Sequence, residues 1–128
     1  MGIAYNTSMV RDGLVGHYDA ANVKSYPGTG TVWSDISGHS NTVNLINGVG
    51  YSDSNRGVLT FDGVNSYCEI LSNADNTLGT DDFTIDICFF ITDRSGLISK
   101  GSGATTGTML LFISSSNTIR FVVDAYHY

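Results

Sequence analysis

Oxygen-bearing side chains in the loops are the residues of this sequence best suited to binding a metal ion. Calcium is held by carboxylate, carboxamide and backbone carbonyl oxygens, which loops commonly supply. Asp19 and Asn22 fall in one loop, and Asp81 and Asp82 precede an apolar run. These four residues are candidate calcium ligands, but no run has the spacing of a linear calcium loop such as DxDxDG. The alternative is that they are solvated carboxylates and caps of turns and strands.

Paired carboxylates would indicate glycoside hydrolysis, which needs two carboxyl groups across a cleft. The chain has a single glutamate, Glu69, and Asp62 lies on the other side of the same predicted hairpin. Asp62 precedes a glycine, so its side chain is expected to accept backbone N–H groups of a turn. Glu69 alternates with apolar residues and is expected to face water. We therefore predict a protein without enzymatic activity.

Aromatic side chains in loops could stack on sugar rings, and Tyr26 and Tyr51 are the candidates. The alternative for either ring is packing over the end of the core. The two cysteines, Cys68 and Cys88, lie in strand-like runs. We expect both to be small buried side chains rather than a disulfide or a zinc site.

The strongest structural signal is the stretch 58–70, VLTFDGVNSYCEI. Leu59 and Phe61 alternate with polar residues, which predicts a strand with one buried face. Asp62-Gly63 predicts a tight turn, because glycine tolerates a positive φ. The alternation resumes at residues 67–70, so the whole stretch is predicted to be one β-hairpin.

Short apolar runs separated by turn signals predict about eight strands, at the spacing of a β-sandwich. Good helix formers are scarce, whereas glycine, asparagine, serine and threonine are abundant. Residues 83–91 are expected to be a central strand covered on both faces. The other predicted strands are 14–19, 43–46, 97–100, 109–113 and 119–123, and Trp33 is expected to pack at one end of the core. We predict one all-β domain, residues 1–128, that begins with a polar lead at 1–13.

Charge and hydropathy exclude several classes of partner. The net charge of −6 argues against nucleic acid and against an anionic membrane surface. No apolar run is long enough for a membrane span. The N-terminus lacks the basic and apolar regions of a signal peptide.

Seven stretches, taken in order, resemble a known family. They are DGLV (12–15), DAAN (19–22), SYPGTGT (25–31), WSDISG (33–38), NG (47–48), FDGVNSY (61–67) and FTI (83–85). Together they resemble the laminin-G-like, or concanavalin A-like lectin/glucanase, domains, and most closely those of virion proteins of tailed bacteriophages. The resemblance implies a jelly-roll β-sandwich, in a family that often binds calcium.

The sequence departs from this family at two places. Cys88 stands where the family often carries tryptophan, and the chain stops at Tyr128, before the last strands of a full domain. We therefore expect a sandwich that is abbreviated at its C-terminal end or completed by another chain. The residues expected to contact that partner are Tyr126, His127 and Tyr128.

The function that the resemblance implies is structural. We expect a virion surface protein, made in the host cytoplasm, that decorates the capsid or tail. Its expected partners are other virion proteins or further copies of itself. One alternative is an adhesin or tail-fibre lectin that binds host-surface glycans, and a second is a fragment of a glycoside hydrolase.

Overall fold

Residues 9–77, 82–91, 96–100, 109–113 and 118–123 are described by the structure, a computed structural model. The chain divides into two units, Met1–Phe83 and Thr84–Tyr128, which we call the N-terminal and C-terminal units. The regular structure described consists of antiparallel β-strands and one turn of 3₁₀-helix. The prediction of an all-β chain is confirmed, whereas the jelly-roll order and the single domain stay predictions.

The N-terminal unit contains two antiparallel sheets. The first has three strands in the order β1-β2-β5, and the second has the strands β3 and β4. A 3₁₀ turn at Ser54–Arg56 lies between β3 and β4. The strand bounds are Val32–Trp33 (β1), Val43–Ile46 (β2), Gly50–Ser52 (β3), Val58–Thr60 (β4) and Tyr67–Ile70 (β5).

The core of this unit is built on β2. Val43 and Leu45 are buried and alternate with half-buried neighbours, because successive side chains of a strand point to opposite faces. Tyr26, from the loop before β1, completes the buried cluster. Partly buried side chains from both sheets and from loops pack against it, namely Tyr18, Trp33, Val49, Tyr51, Leu59 and Cys68. The two sheets of the unit therefore share one core.

The stretch 58–70 forms two strands, but they do not pair with each other. Leu59 of β4 lies opposite Tyr51 of β3, and Cys68 of β5 lies opposite Leu45 of β2. The hairpin prediction was therefore wrong. A period-2 pattern identifies the buried face of a strand, but it carries no information about which strand lies beside it.

Asp62 organises the loop that carries the chain from β4 to β5. Its Oδ1 atom accepts the backbone N–H groups of Val64 (2.9 Å), Asn65 (3.1 Å) and Ser66 (3.0 Å), and also the Ser66 hydroxyl (2.7 Å). These hydrogen bonds, that from Val64 first, hold the pKa of Asp62 well below its ordinary value. The carboxylate is thus the structural cap that the sequence suggested, although the loop that it caps joins two sheets.

Residues 14–19 are not a strand, contrary to prediction. The backbone of these residues hydrogen-bonds to a side chain and to another loop rather than to a neighbouring strand. The N–H of His17 donates to Oδ1 of Asp35 (2.9 Å), and the N–H of Ile36 donates to the carbonyl of His17 (2.9 Å). Polar groups of the 35–41 loop therefore take the place of a neighbouring strand.

The C-terminal unit contains a three-stranded antiparallel sheet in the order β6-β7-β8. The strands are Gly96–Lys100 (β6), Met109–Ile113 (β7) and Ile119–Val123 (β8). The predicted strands at 97–100, 109–113 and 119–123 are confirmed. Met109 and Ile113 of the middle strand are buried, as expected for a strand with a neighbour on each side.

The prediction of a central strand at 83–91 was wrong. All of these residues are described, and no strand is assigned to them. Phe83, Ile85, Ile87 and Phe89 are all exposed. A central strand needs a hydrogen-bonded neighbour on both sides, and no strand pair of the described chain includes this segment. Cys88 is consequently exposed rather than buried, whereas Cys68 is half-buried beside the N-terminal core.

Candidate functional site

A cleft of about 250 Å³ opens in the N-terminal unit where β2 and β5 meet two loops. We call it the amide cleft, because three of its lining residues are asparagines. Its lining residues are Ser40, Asn41, Thr42, Asn44, Ile70, Leu71 and Asn73. One wall is the 35–42 loop before β2, and the facing wall is the 71–77 loop after β5.

Asn41 is the centre of this arrangement and is only 5% exposed. Its side-chain NH₂ donates to the carbonyl of Val15 (2.6 Å) and, at 3.5 Å, to Oδ2 of Asp75. Its side-chain carbonyl accepts a hydrogen bond from Nδ2 of Asn73. A buried amide with every group paired is strongly held in place, so Asn41 fixes the two walls of the cleft relative to each other.

Asp35 shapes the loop that presents Asn41. Its Oδ1 atom accepts the N–H groups of His17 (2.9 Å) and Ser37 (2.8 Å), and its Oδ2 atom accepts the N–H of Asn41 (3.1 Å) and the Ser37 hydroxyl (2.8 Å). Partial burial alone would raise the pKa of Asp35, but the hydrogen bonds from Ser37, His17 and Asn41 together lower it. The carboxylate therefore remains ionised and acts as a loop organiser.

Tyr18 adds a hydrogen bond and a ring contact to this network. Its hydroxyl donates to the backbone carbonyl of Asn41, and its ring lies 5.5 Å from the ring of Trp33. Burial, followed by the negative charge of Asp35, raises the pKa of Tyr18 to about 12. The hydroxyl thus stays protonated at neutral pH and remains a donor.

The 71–77 loop, which forms the second wall of the cleft, is held by hydrogen bonds of its own. Asn73 accepts the N–H of Asn76 (3.1 Å), and its backbone carbonyl accepts the hydroxyl of Thr77 (2.7 Å). Nδ1 of His39 lies 3.1 Å from Oδ2 of Asp75, a contact between the two walls at the surface. The walls are therefore joined by several polar contacts besides Asn41.

Ser40 stands at the rim of the cleft with a φ of +62°. The left-handed region is costly for a residue other than glycine, and such strain persists where surrounding contacts hold it. Here the neighbouring Asn41 is held by Asp35, Val15 and Asn73. The strained turn exposes the side chains of Ser40 and Thr42 at the mouth of the cleft.

The chemistry of the lining suits a small, neutral, hydrogen-bonding ligand. All of its polar side chains are amides or hydroxyls, and Ile70 and Leu71 add an apolar surface. Within the described chain, the side chains of Thr42 and Asn44 make no hydrogen bond and can therefore bind a ligand. Clefts that combine an apolar surface with a few placed polar groups are the usual form of small-molecule sites.

The predicted sugar-stacking residues lie elsewhere in the unit. Tyr26 is 3% exposed, and its hydroxyl donates to the carbonyl of Gly30 (2.9 Å). Tyr51 is half-buried, with its ring 5.4 Å from that of Tyr26. Tyr26 therefore has no ring face open to a sugar, and the alternative of core packing describes both residues.

The predicted calcium ligands act in turns where the structure describes them. Oδ1 of Asp19 accepts the N–H of Ala21 (2.9 Å), and Oδ1 of Asn22 accepts the N–H of Lys24 (3.0 Å). Asp82 is exposed, and Asp81 lies outside the described residues. Among the described residues, no three His, Cys, Asp or Glu side chains come together as a metal group. Calcium binding stays a prediction.

Two further sets of predicted residues have different outcomes. Tyr126, His127 and Tyr128, the expected partner contacts, lie outside the described residues. Glu69 is exposed on β5, while Asp62 caps a loop at the other end of that strand. Since β4 and β5 belong to different sheets, the pairing of Asp62 with Glu69 across one hairpin is not formed.

Sequence reasoning missed the residues of the amide cleft. The sequence predicts only a turn at residues 37–41 and a polar connection at residues 72–79. A sequence signal was present, because Ser, Asn and Gly are concentrated in both segments. Nothing in either segment, however, indicates that Asn41 and Asn73, far apart in sequence, hydrogen-bond to each other.

Comparisons with known proteins add nothing to these observations. The chain matches no protein-family model, no curated protein and no solved structure. Over the described ranges, no helix has the length and apolar character needed to cross a membrane.

Proposed function

We infer that the chain is a non-enzymatic structural protein of a bacteriophage virion surface, attached to the capsid or tail as a decoration protein. The observation that carries this inference is the exposure of apolar side chains in residues 84–91. Ile85, Ile87 and Phe89 alternate along the segment and are exposed, and Phe90 is 92% exposed. The assignment to a virion rests on the sequence resemblance, with which the all-β architecture is compatible.

Contiguous exposed apolar side chains are unfavourable in water and mark sites of protein contact. No described strand pairs with this alternating segment, and a neighbouring protein strand could hydrogen-bond to its backbone N–H and C=O groups. Attachment to other proteins through residues 84–91 accounts for both features. Catalysis does not need such a surface.

The experiment is to examine purified particles of the phage that encodes the chain. Mass spectrometry and immunogold labelling should find the chain on the particles. Phe90→Asp should lower its occupancy severalfold, because a charge would then have to be buried at the contact. Val64→Asp is the matched control, since Val64 is 85% exposed in the N-terminal unit. A chain found only in the soluble fraction of infected cells would contradict the proposal.

Glycan binding is a second candidate function, and the amide cleft favours it. Sugars present hydroxyl groups that amides recognise, together with an apolar ring face that Ile70 and Leu71 could contact. This candidate uses a different site from residues 84–91, so both functions are compatible in one protein.

A glycan array tests the second candidate, read with calcium and again with a chelator. Asn44→Ala should abolish a selective signal, whereas Asn65→Ala, at an exposed position outside the cleft, should leave it unchanged. Loss of the signal in chelator would support a calcium ion near the loops. If a folded sample gives no signal in either condition, glycan binding is ruled out as a function.

A further inference from the structure

Among the described strands, β8 of the C-terminal unit has a neighbour on one side only. It pairs with β7, and no strand of the described chain pairs with its other edge. Ile119 is 60% exposed and Phe121 is 54% exposed, with Arg120 between them. An exposed edge strand with apolar side chains is a template for another strand.

Residues 84–91 have the complementary character. Their apolar side chains alternate with Thr84, Asp86 and Cys88, and no strand of the described chain pairs with them. The segment therefore combines a strand-like sequence and exposed side chains with a backbone that has no strand partner among the described residues. It carries one acidic residue, Asp86, between two apolar ones, just as β8 carries one basic residue.

We propose that residues 84–91 of one copy of the chain pair antiparallel with the free edge of β8 of a second copy. If Asp86 is placed opposite Arg120, antiparallel pairing brings Ile85 opposite Phe121 and Ile87 opposite Ile119. Directly opposite residues share a face, so this register joins apolar with apolar and acid with base. Every strand pair in the structure is antiparallel, which supports this direction.

The contact is head-to-tail, because it joins two different surfaces. Each copy would then offer a free segment and a free edge, and copies would add successively into rings or open chains. A pair of strands this short binds weakly alone, but repetition on a particle strengthens attachment through effective concentration. The inference rests on the proposed structural function and names a second copy as one partner.

Sedimentation velocity over a series of chain concentrations tests the contact. The unmodified chain should show concentration-dependent association. Asp86→Arg or Arg120→Asp should each weaken it roughly tenfold, because like charges would face each other. Asp82→Arg and Arg56→Asp are the matched controls and should have little effect. Circular dichroism of each variant shows whether it is folded.

The decisive experiment mixes the two charge-reversed variants. Asp86→Arg alone presents a basic segment to a basic edge, and Arg120→Asp alone presents an acidic segment to an acidic edge. A mixture restores acid opposite base at every contact and should recover association, as should the double variant. A monomeric unmodified chain, or a mixture that does not recover, overturns the inference. Attachment to virions without self-association would leave the proposed function standing and remove only this contact.

Discussion

Asn73 donates its side-chain amide to the side-chain carbonyl of Asn41 and so joins two loops that are 32 residues apart in sequence. One loop precedes β2 and the other follows β5, and these strands lie side by side in the first sheet. The two amides therefore close the end of a sheet with side chains where its backbone ladder stops. The shape of the amide cleft depends on this contact.

Replacing Asn41 with leucine should destabilise the N-terminal unit by about 3 kcal/mol, because buried partners would lose their hydrogen bonds. The carbonyl of Val15 and the amide of Asn73 are the groups left unpaired. Urea unfolding followed by Trp33 fluorescence measures the change. Thr42→Val, an exposed residue of the same cleft, serves as the control. A loss below about 1 kcal/mol would show that the network is not cooperative.

Tyr18 should make the protein sensitive to alkali. Its folded pKa is raised to about 12, whereas a tyrosine in the unfolded chain ionises near pH 10, at about its ordinary value. The resulting stabilisation is complete below about pH 10 and is lost as the pH rises towards 12. Tyr18→Phe should be less stable at pH 7 by about 1 kcal/mol, through the lost hydrogen bond to Asn41. It should also show a smaller decline of the urea midpoint between pH 9 and pH 12.

Asp62 should make the opposite contribution, at acid pH. Its folded pKa is lowered by the hydrogen bonds from Val64, Ser66 and Asn65. The stabilisation is therefore complete above the unfolded pKa, about 4, and is lost as the pH falls below it. Asp62→Ala should flatten the decline of the urea midpoint between pH 5 and pH 2. Asp53→Ala is the control, because the Asp53 side chain makes no capping hydrogen bond. Equal slopes in the two variants would contradict this role of Asp62.

Gly57→Ala should destabilise the protein far more than Gly63→Ala. Gly57 has a φ of +122°, and an added Cβ would lie 2.7 Å from the carbonyl oxygen of Ala20 and 2.8 Å from the hydroxyl of Tyr51. Gly63 has a φ of +71° with open space around it, so alanine there meets only backbone strain of about 1 kcal/mol. Thermal unfolding of both variants provides the comparison. We expect a loss above about 2 kcal/mol at Gly57. Similar melting temperatures would show that the backbone shifts easily.

Sequence periodicity located several strands correctly. Residues 43–46, 109–113 and 119–123 form the strands expected, because their apolar alternation or continuity matches burial on one sheet face. Partner choice was not predictable in the same way. The strands at 58–60 and 67–70 were assigned to each other, yet they pair with β3 and β2. Pairing depends on tertiary packing, which local pattern does not encode.

The candidate site was less predictable than the fold. Tyr26 and Tyr51 are predicted as loop aromatics, but Tyr26 is buried with Val43 and Leu45, and the half-buried Tyr51 packs against that cluster. Asn41 gave no signal of its own, since its importance comes from contacts with Val15 and Asn73. A residue that acts through contacts distant in sequence is visible only after the chain has folded.

The crossover at the Asp62 loop nests one strand pair inside another. The β3–β4 pair lies entirely within the stretch 47–66, which the pairing of Ile46 with Tyr67 must close. Loop closure costs less entropy when the intervening chain is already shortened. The β3–β4 pair should thus form early, and the β2–β5 pair, which encloses it in sequence, should form later. We therefore expect the order of folding events in the N-terminal unit to follow from which strands the Asp62 loop keeps apart.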